Sequence, residues 1–322
     1  MTAMSLLRDL SVALEMSAED IRRIVVTGPR RYKIFTIPKR NGPDRRIIAQ
    51  PARELKAIQR YVVAEKLAGL RVHAIAMAYR KGRNISDNAA QHVKKRVILK
   101  LDFRNFFHSI TPRDLQTTIR RHGLTTIEKE EFQLLNDIFF WRHPTDGHLC
   151  LSIGAPSSPF ISNVIMEPLD REFHRIAREC STTCTRYADD ITLSGNSIEN
   201  LLKAEQKIKR AVARARSPRL TFNDDKRGIF TTAGRRIVTG LVITPDAKVS
   251  LGRERKRKIS AALHHIAVGR NLTPEHLEQT RGWLAYAKSV EPTFFIAMTA
   301  KYFDALRMVM GMPVRLPDAL SD

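Results

Sequence analysis

The sequence contains few cysteines and no long apolar run, and each of these absences excludes a class of protein. Its three cysteines, Cys150, Cys180 and Cys184, form no CxxC pair, and no histidine stands at zinc-ligand spacing. We therefore expect reduced thiols, with a Cys180–Cys184 metal half-site as the lesser alternative. No apolar run is long enough to cross a bilayer, and the N-terminal segment lacks the layout of a secretory signal. These absences predict a cytoplasmic protein without a membrane partner.

Acidic residues are also scarce relative to basic ones. The 33 aspartates and glutamates face 55 lysines and arginines, which gives 322 residues a formal net charge of +22 at pH 7. Self-repulsion of that size is tolerated most readily when the working partner is a polyanion. A basic ribosomal protein would usually be shorter and carry low-complexity arms, and an acidic membrane surface is the second candidate. The composition favours nucleic acid as the partner.

Strand and helix patterns alternate along the chain, without a GxGxxG or Walker phosphate loop. Residues 32–51 predict a basic β-hairpin, and the run "RVILKL" predicts a short strand that ends on Asp102. A Gly/Pro-rich turn leads into a long helix whose first turn contains Pro159, and "LTFNDDKRGIF" predicts a strand. We expect an α+β fold with helices on one face of an antiparallel sheet. A composition shift near Gly252 predicts a separate basic, helical region at the C-terminus.

Two adjacent carboxylates occupy a predicted hairpin tip in "RYADDITLS", at Asp189 and Asp190. An aspartate pair in a turn is ordinarily turn chemistry, because the side chains cap backbone N–H groups. If the strand that ends on Asp102 is a neighbour, three carboxylates converge. Such a cluster needs divalent cations, and two Mg²⁺ about 3.5–4 Å apart is the arrangement used for phosphoryl transfer. Oxygen ligands without histidine or cysteine suit Mg²⁺.

Three blocks, in this order, resemble the motifs of reverse transcriptases: "LKLDFRNFF" their first metal-binding motif, "GAPSSPFISN" the motif that follows, and "YADD" their YxDD motif. "SDNAAQH" resembles the NAxxH element of bacterial retron reverse transcriptases, and "RRIVTGLVI" resembles their VTG element. The resemblance extends from about residue 32 to residue 290. It implies a right-hand polymerase fold, with fingers and palm in residues 1–245 and a basic, helical thumb in residues 246–322.

The resemblance also implies an activity and its partners. The chain would be an RNA-directed DNA polymerase that uses dNTPs and two Mg²⁺ ions, with Mn²⁺ as a substitute. Its template would be a cognate structured non-coding RNA (msr–msd). Priming from a 2′-OH of a branching guanosine would give msDNA, a branched RNA–DNA hybrid. Retrons are associated with anti-phage defence beside an effector protein, which would be encoded alongside.

Roles for individual residues follow from the same resemblance. The implied metal ligands are the carboxylates of Asp102, Asp189 and Asp190, which are also the catalytic residues, and the carbonyl of Phe103. The implied nucleotide-binding residues are Lys39, Arg46, Phe107, Gly154, Ala155, Pro156 and Lys226. The implied nucleic-acid-binding residues are Asn88, His92, Tyr187, Val238, Thr239, Gly240, Arg253, Arg255, Lys256, Arg257 and Lys258.

Plainer interpretations stay open for several of these residues. Asp102 could cap the next helix, Phe107 could be a core residue rather than a block to the ribose 2′-OH, and Lys226 could be a surface lysine. His92 could cap a buried turn. The sequence also departs from the family at Ile153, where relatives often have glutamine, so any contact from that glutamine to the nucleotide sugar is lost or supplied elsewhere.

Three alternative functions are compatible with the sequence. A group II intron-like or abortive-infection reverse transcriptase shares the motifs, although the former usually continues into further regions. A catalytically silent polymerase fold that binds RNA is opposed by the intact aspartates. A palm-fold nucleotide cyclase is opposed by the basic thumb.

Overall fold

The computed structural model describes residues 3–38, 45–123, 128–270 and 273–310. The described helices are α1 (Ala3–Leu14), α2 (Ala18–Val26), α3 (Arg53–Tyr61), α4 (Ile85–Ala90), α5 (Pro112–Arg121), α6 (Lys129–Phe139), α7 (Ser158–Glu179), α8 (Ile198–Arg214), α9 (Arg253–Ala267), α10 (Pro274–Val290), α11 (Pro292–Lys301) and α12 (Phe303–Met310). The described strands are β1 (Tyr32–Pro38), β2 (Arg45–Pro51), β3 (Val97–Asp102), β4 (Trp141–Arg142), β5 (Leu149–Cys150), β6 (Thr183–Tyr187), β7 (Asp190–Gly195), β8 (Gly228–Thr231), β9 (Arg236–Val238), β10 (Leu241–Ile243) and β11 (Val249–Ser250).

The chain forms two compact units. The first unit comprises residues 1–83 and 99–229, and the second comprises residues 84–98 and 230–322. This division follows packing and does not test the predicted boundary between residues 245 and 246, which stays a prediction. The mixture of helices and sheets confirms the expected α+β class.

A four-stranded sheet in the order β6-β7-β3-β8 forms the centre of the first unit. Strands β6 and β7 are an antiparallel hairpin in the register Tyr187↔Asp190. Every residue of β3 except Lys100 is buried. A central strand that is covered on both faces needs apolar residues at nearly every position, which explains the run of apolar residues in its sequence. Helix α7 packs on β6, and α8 packs on β7 and α7.

Helix α8 shows why this sequence folds as it does locally. The Ser197 side chain accepts a hydrogen bond from the N–H of Asn200 and caps the first turn. Its buried residues, among them Leu201, Ala204, Ile208 and Val212, recur at intervals of three and four residues and make one apolar stripe. The stripe gives the helix a single face to bury against the sheet.

The predicted hairpin of residues 32–51 is confirmed, since β1 and β2 pair from Tyr32↔Pro51 to Pro38↔Arg45. The Ala49 N–H of β2 donates to the Ile153 carbonyl at 2.9 Å. That bond fastens the hairpin to the "IGAPSSP" loop that precedes α7.

The second unit packs α9, α10 and α12 with α4 and the small sheet β11-β10-β9 around one apolar core. Fully buried leucines fill its centre, at Leu241, Leu263, Leu284 and Leu306. The Arg236 guanidinium donates to the carbonyls of Lys95 and Thr244, so the segment before β3 is bound to this sheet.

The prediction of one strand for "LTFNDDKRGIF" is wrong in its middle. Phe222 makes a single bridge with Phe103, residues Asp224–Lys226 form a 3₁₀ turn, and β8 begins at Gly228. Adjacent asparagine and aspartate residues favour turns, because their side chains compete for backbone hydrogen bonds. The turn matters for the site, because it carries Lys226.

The three cysteines are free, as expected for reduced thiols, and all three are buried. Among the described residues, no helix is both long and apolar enough to cross a membrane.

Candidate active site

The tip of the β6–β7 hairpin is a two-residue turn formed by Ala188 and Asp189. Ala188 has a φ of +59°, a region that residues with a Cβ seldom adopt. The Phe103 N–H, directly after Asp102, donates to the Asp189 carbonyl at 3.1 Å. This hydrogen bond joins the end of β3 to the turn, so residues almost ninety positions apart in sequence come together.

The three carboxylates at this edge repel one another. Burial, together with the charges of Asp102 and Asp190, raises the pKa of Asp189 to about 6. Burial also raises the pKa of Asp190; Lys100 opposes that rise and Asp102 adds to it. Carboxylates held close together in a low-dielectric site resist simultaneous ionisation. The edge therefore favours added positive charge.

Lys226 supplies part of that charge. Its ammonium lies 2.8 Å from Oδ1 of Asp102, which is almost completely buried, while the lysine side chain is 55% exposed. The contact argues against a lysine that merely covers the surface. It places a partly exposed cation in direct contact with one of the three carboxylates.

The donor set fits a hard divalent ion, because it consists of carboxylate oxygens without histidine or cysteine. Within the described ranges, only one group of three His, Cys, Asp or Glu residues has all its ligand atoms within 4.8 Å of one another, and that group lies elsewhere, at His143, Asp146 and His148. The three aspartates are thus electrostatic neighbours that have not closed to that spacing.

A buried network stands behind the turn. The Arg186 guanidinium donates to both Asp170 carboxylate oxygens at 2.7 and 2.6 Å, and both side chains are completely buried. It also donates to Oδ1 of Asn163 at 3.1 Å and to the Ala188 carbonyl at 2.9 Å. Because the last bond ends on the residue with positive φ, the network fixes the strained turn that presents Asp189 and Asp190.

Aromatic rings border the carboxylates. Tyr79 lies with its ring centroid 6.4 Å from Phe107 and 6.5 Å from Tyr187, and it has a φ of +61°. Phe107 is half-buried on the 3₁₀ turn Phe107–Ser109, whereas its neighbour Phe106 is buried against Phe103. Phe106 is therefore a core residue, whereas the Phe107 ring is partly accessible.

Of the predicted nucleotide-binding residues, Lys39 lies outside the described residues. Arg46 pairs with Ile37 in the β1–β2 hairpin, and its charge lowers the pKa of Tyr79 against the larger effect of burial. Gly154 has a φ of +123°, and a Cβ there would lie 3.0 Å from the Ala49 carbonyl oxygen. A glycine is required for this close packing, whatever else the loop contacts. Ala155 is buried in the same loop, and Pro156 is half-buried.

The NAxxH and VTG elements both belong to the second unit. Asn88, His92 and Val238 are fully buried, so nucleic acid cannot contact their side chains in this conformation. A role in RNA binding would act through the surface that they support. Thr239 donates to the Ile85 carbonyl at 3.1 Å, and the Gly240 carbonyl accepts from Arg255 at 3.0 Å.

The predicted basic face of α9 is divided. Arg255 also donates to the Tyr286 hydroxyl, and Lys256 pairs with Glu291, so these two cations stabilise the second unit. Arg253, Arg257 and Lys258 are exposed, and Lys258 pairs with Glu254. The exposed residues remain available to a polyanion.

Comparison with known proteins identifies the family. A family model described as reverse transcriptase (RNA-dependent DNA polymerase) matches residues 37–262.

The chain belongs to the reverse transcriptase family. It is 37% identical over 297 residues to the retron Ec83 reverse transcriptase of Escherichia coli, covering 91% of this chain and 94% of that one. It is 34% identical over 290 residues to the retron Ec86 reverse transcriptase of the same organism, covering 89% and 85%. This reverse transcriptase is therefore an RNA-directed DNA polymerase of the retron type with the right-hand fold of its family, and that family generally uses divalent metal ions.

A solved structure is also similar: telomerase from Candida albicans in complex with a fragment of telomeric RNA. The TM-score is 0.48 at 12% identity, and the match covers 90% of this chain and 62% of that one. A likeness of this size carries no argument about function.

Sequence reasoning missed Tyr79 and the network of Arg186, Asp170 and Asn163. Tyr79 stands in an irregular segment without periodicity, so no pattern marks it. Asp170 did give a signal, because it lies four residues after Met166 and three before Phe173, on the buried stripe of α7. A carboxylate on an apolar stripe requires a buried partner.

Proposed function

We propose that this reverse transcriptase copies a cognate structured non-coding RNA (msr–msd) into msDNA by two-metal nucleotidyl transfer. The product would be a branched RNA–DNA hybrid, and the enzyme would act in the cytoplasm, in anti-phage defence beside an effector protein. The observation that carries the chemistry is the cluster of Asp102, Asp189 and Asp190, whose burial and mutual repulsion favour bound cations. The sequence similarity to retron reverse transcriptases supports the substrate class.

The carboxylates of Asp102, Asp189 and Asp190, together with the Phe103 carbonyl, would hold two Mg²⁺ or Mn²⁺ ions. When bound, such ions activate the attacking hydroxyl and stabilise the charge on the phosphate and the leaving pyrophosphate. Lys226, already 2.8 Å from Asp102, would turn toward the pyrophosphate and donate a proton to it.

The dNTP would lie between the hairpin and the carboxylates. Arg46 and Lys39 would bind the triphosphate, since arginine offers paired donors and lysine a point charge. Gly154, Ala155 and Pro156 would form the floor beneath the base, and the half-buried ring of Phe107 would exclude a ribose 2′-OH. Tyr187 would support the primer strand.

RNA would bind the exposed cations Arg253, Arg257 and Lys258, through its phosphates and without sequence readout. The elements around Asn88 and His92, and around Val238, Thr239 and Gly240, would shape that surface from beneath. Arg255 and Lys256 would hold the helix in place.

Sequencing the nucleic acid that copurifies with the full-length protein tests the product. We expect a single DNA species joined to RNA through a 2′–5′ bond, which debranching enzyme cleaves. DNA with an ordinary 3′–5′ junction would point to another kind of reverse transcriptase. Bound RNA without DNA, together with no dNTP incorporation on an added primer–template, would support a silent RNA-binding protein.

Phe107→Val tests the nucleotide site. Removing the ring should raise ribonucleotide incorporation relative to deoxyribonucleotide by about 10- to 200-fold, the range for one lost steric group in a pocket. Steady-state kcat/KM for each nucleotide measures the ratio. Phe107→Tyr keeps the ring and should keep the discrimination. Equal ribonucleotide-to-deoxyribonucleotide ratios in the wild type and both variants would show that Phe107 packs in the core and does not contact the sugar.

A further inference from the structure

The β4–β5 hairpin carries a second cluster of ligand side chains, apart from the aspartates. Its register is Trp141↔Cys150 and Arg142↔Leu149, so the next opposed pair is His143 and His148. The His143 N–H donates to the His148 carbonyl at 2.9 Å, which confirms that opposition. The segment "PTDG" closes the loop between them and contributes Asp146. We propose that His143, Asp146 and His148 form a transition-metal site, of which Zn²⁺ is the occupant.

The ligand atoms already lie close together. The ring nitrogens and the carboxylate oxygen are all within 4.8 Å of one another, with Asp146 Oδ1 at 2.5 Å from His148 Nδ1 and 3.7 Å from His143 Nδ1. The two imidazoles stack with centroids 5.2 Å apart, which places both on one side of the hairpin. Movements of about 1 Å would bring the three atoms to a shared ion, since Zn–N and Zn–O bonds are about 2.0–2.2 Å long.

An outer partner favours the metal-binding form of His148. Its Nε2 lies 3.2 Å from the His108 carbonyl oxygen and donates to it, while Nδ1 faces Asp146. A ligating histidine usually donates its other ring N–H to a carbonyl or carboxylate, which orients the ring and fixes the tautomer. On binding, the ion takes the place of the proton between Nδ1 and Asp146, and that proton passes to solvent.

The neighbourhood contains a further orphaned nitrogen. Nε2 of His108 is buried and has no hydrogen-bond partner in the part of the chain that the structure describes. The His108 ring lies 4.9 Å from that of His143 and 5.9 Å from that of Trp141. A water on the ion would complete four-coordination.

The donor set favours Zn²⁺ over Mg²⁺. Two imidazoles and one carboxylate suit Zn²⁺, whereas Mg²⁺ prefers oxygen ligands alone. The site is thus chemically distinct from the cluster of Asp102, Asp189 and Asp190. The sequence-based statement that no histidine stands at zinc-ligand spacing is wrong, because "HPTDGH" separates two histidines by four residues.

The contacts of the β4–β5 hairpin indicate a structural role for the proposed zinc site. His148 bonds to His108, and the Leu151 N–H donates to the Ile110 carbonyl at 3.1 Å, so the hairpin supports the turn that contains Phe107. A bound ion would fix the loop at residues 143–148 and, through it, the base of that turn.

Zn²⁺ titration of the full-length protein in excess Mg²⁺, against a chromogenic chelator, tests the proposal. The wild type should bind one Zn²⁺ per chain, and with Co²⁺ it should show the visible absorption of a four-coordinate site. His143→Asn/His148→Asn should abolish both signals, while His276→Asn, at an exposed histidine of the second unit, should keep them. Asp146→Ala changes an exposed loop residue, and it should weaken binding at least about tenfold.

Two results would overturn the site. One is wild-type affinity no greater than that of the double histidine variant. The other is Zn²⁺ binding that disappears in Asp190→Asn but persists in the double histidine variant, which would place the ion at the aspartates. Since neither readout needs polymerisation, failure of this site and failure of the proposed function remain distinguishable.

Discussion

Asp170 on α7 and the three aspartates at the edge of the central sheet both belong to the first unit, and their charges are compensated in opposite ways. Asp170 is completely buried and receives two hydrogen bonds from an equally buried arginine, whose other donors reach Asn163 and the Ala188 carbonyl. At the edge of the sheet, three aspartates share one direct lysine contact, and burial raises the pKa of Asp189 to about 6. The charge of Asp170 is fully compensated by hydrogen bonds within the protein, whereas the charges of the three aspartates at the sheet edge are compensated only in part.

The difference separates a charge that supports the fold from charges that serve chemistry. A buried ion pair with complete hydrogen bonding stabilises one arrangement of the chain and leaves nothing for a ligand. An undercompensated cluster raises the free energy of the folded state, and a bound cation lowers it again. Substitutions at the two places should therefore have opposite signatures.

Asp190→Asn should give the largest effect. DNA synthesis should fall at least about 1,000-fold, or roughly 4 kcal/mol in activation free energy. Stability without metal should stay equal or rise, because one repelling charge is removed. Primer extension and urea unfolding measure the two quantities. Asp225→Asn, at a side chain that is 90% exposed, is the control and should change neither. Loss of stability in Asp190→Asn would contradict the comparison.

Asp170→Ala should show the reverse pattern in stability. It leaves Arg186 buried and unpaired, so the free energy of unfolding should fall by about 3–5 kcal/mol. The shift of the urea midpoint at constant slope measures this loss. Glu172→Ala breaks a partly exposed pair with Arg175 on the same helix and should cost less than about 1 kcal/mol. Equal losses of unfolding free energy in the two variants would show that the buried pair stabilises the fold no more than the partly exposed pair does.

Lys226→Met sharpens the contrast, because it removes the cation that contacts Asp102. Synthesis should fall about 100-fold, in the range for losing a proton donor. The Mg²⁺ concentration needed for half-maximal rate should decrease, since no ammonium competes for the carboxylate. A surface lysine would alter neither quantity.

The smallest effect concerns pH. The pKa of Asp189 is about 6 in the folded protein against an ordinary value of 3.8. The folded state therefore holds this proton more tightly than the unfolded state. The contribution of this group to the free energy of unfolding is therefore highest at low pH and declines as pH rises from about 4 to 6. Without metal, Asp189→Asn should exceed the wild type in stability above pH 6, and the difference should vanish near pH 4. Thermal unfolding across that range measures it, and a constant difference would contradict the assignment.

The sequence alone predicts the elements of the fold that depend on local interactions. The apolar run before Asp102 predicts β3, the basic hairpin follows from its flanking strands, and the motif order identifies the family before any coordinate is known. The broken strand near Lys226 was missed because apolar residues at both ends concealed a turn in the middle. Arg186 was missed because a charged residue within a strand reveals no partner until Asp170, sixteen residues earlier, is placed beside it.

The histidine cluster was missed for a different reason. His143 and His148 become opposed only through the register of a hairpin with two residues in each strand, and so short a strand leaves no periodic signal. His108 approaches from a separate part of the chain. Such a site is defined by tertiary structure, and spacing alone suggests at most two of its ligands.

Helix α7 connects the loop that contains Gly154 with the buried network behind the catalytic turn. It begins at Ser158, shortly after Gly154, and its Asn163 and Asp170, which lie two turns apart on one side, accept hydrogen bonds from the Arg186 guanidinium. Adding one residue between those two positions would swing the acid by about 100° around the axis and release the catalytic turn. Substitutions on the exposed face of α7 would leave this geometry in place, whereas a change in the number of residues between Asn163 and Asp170 would not.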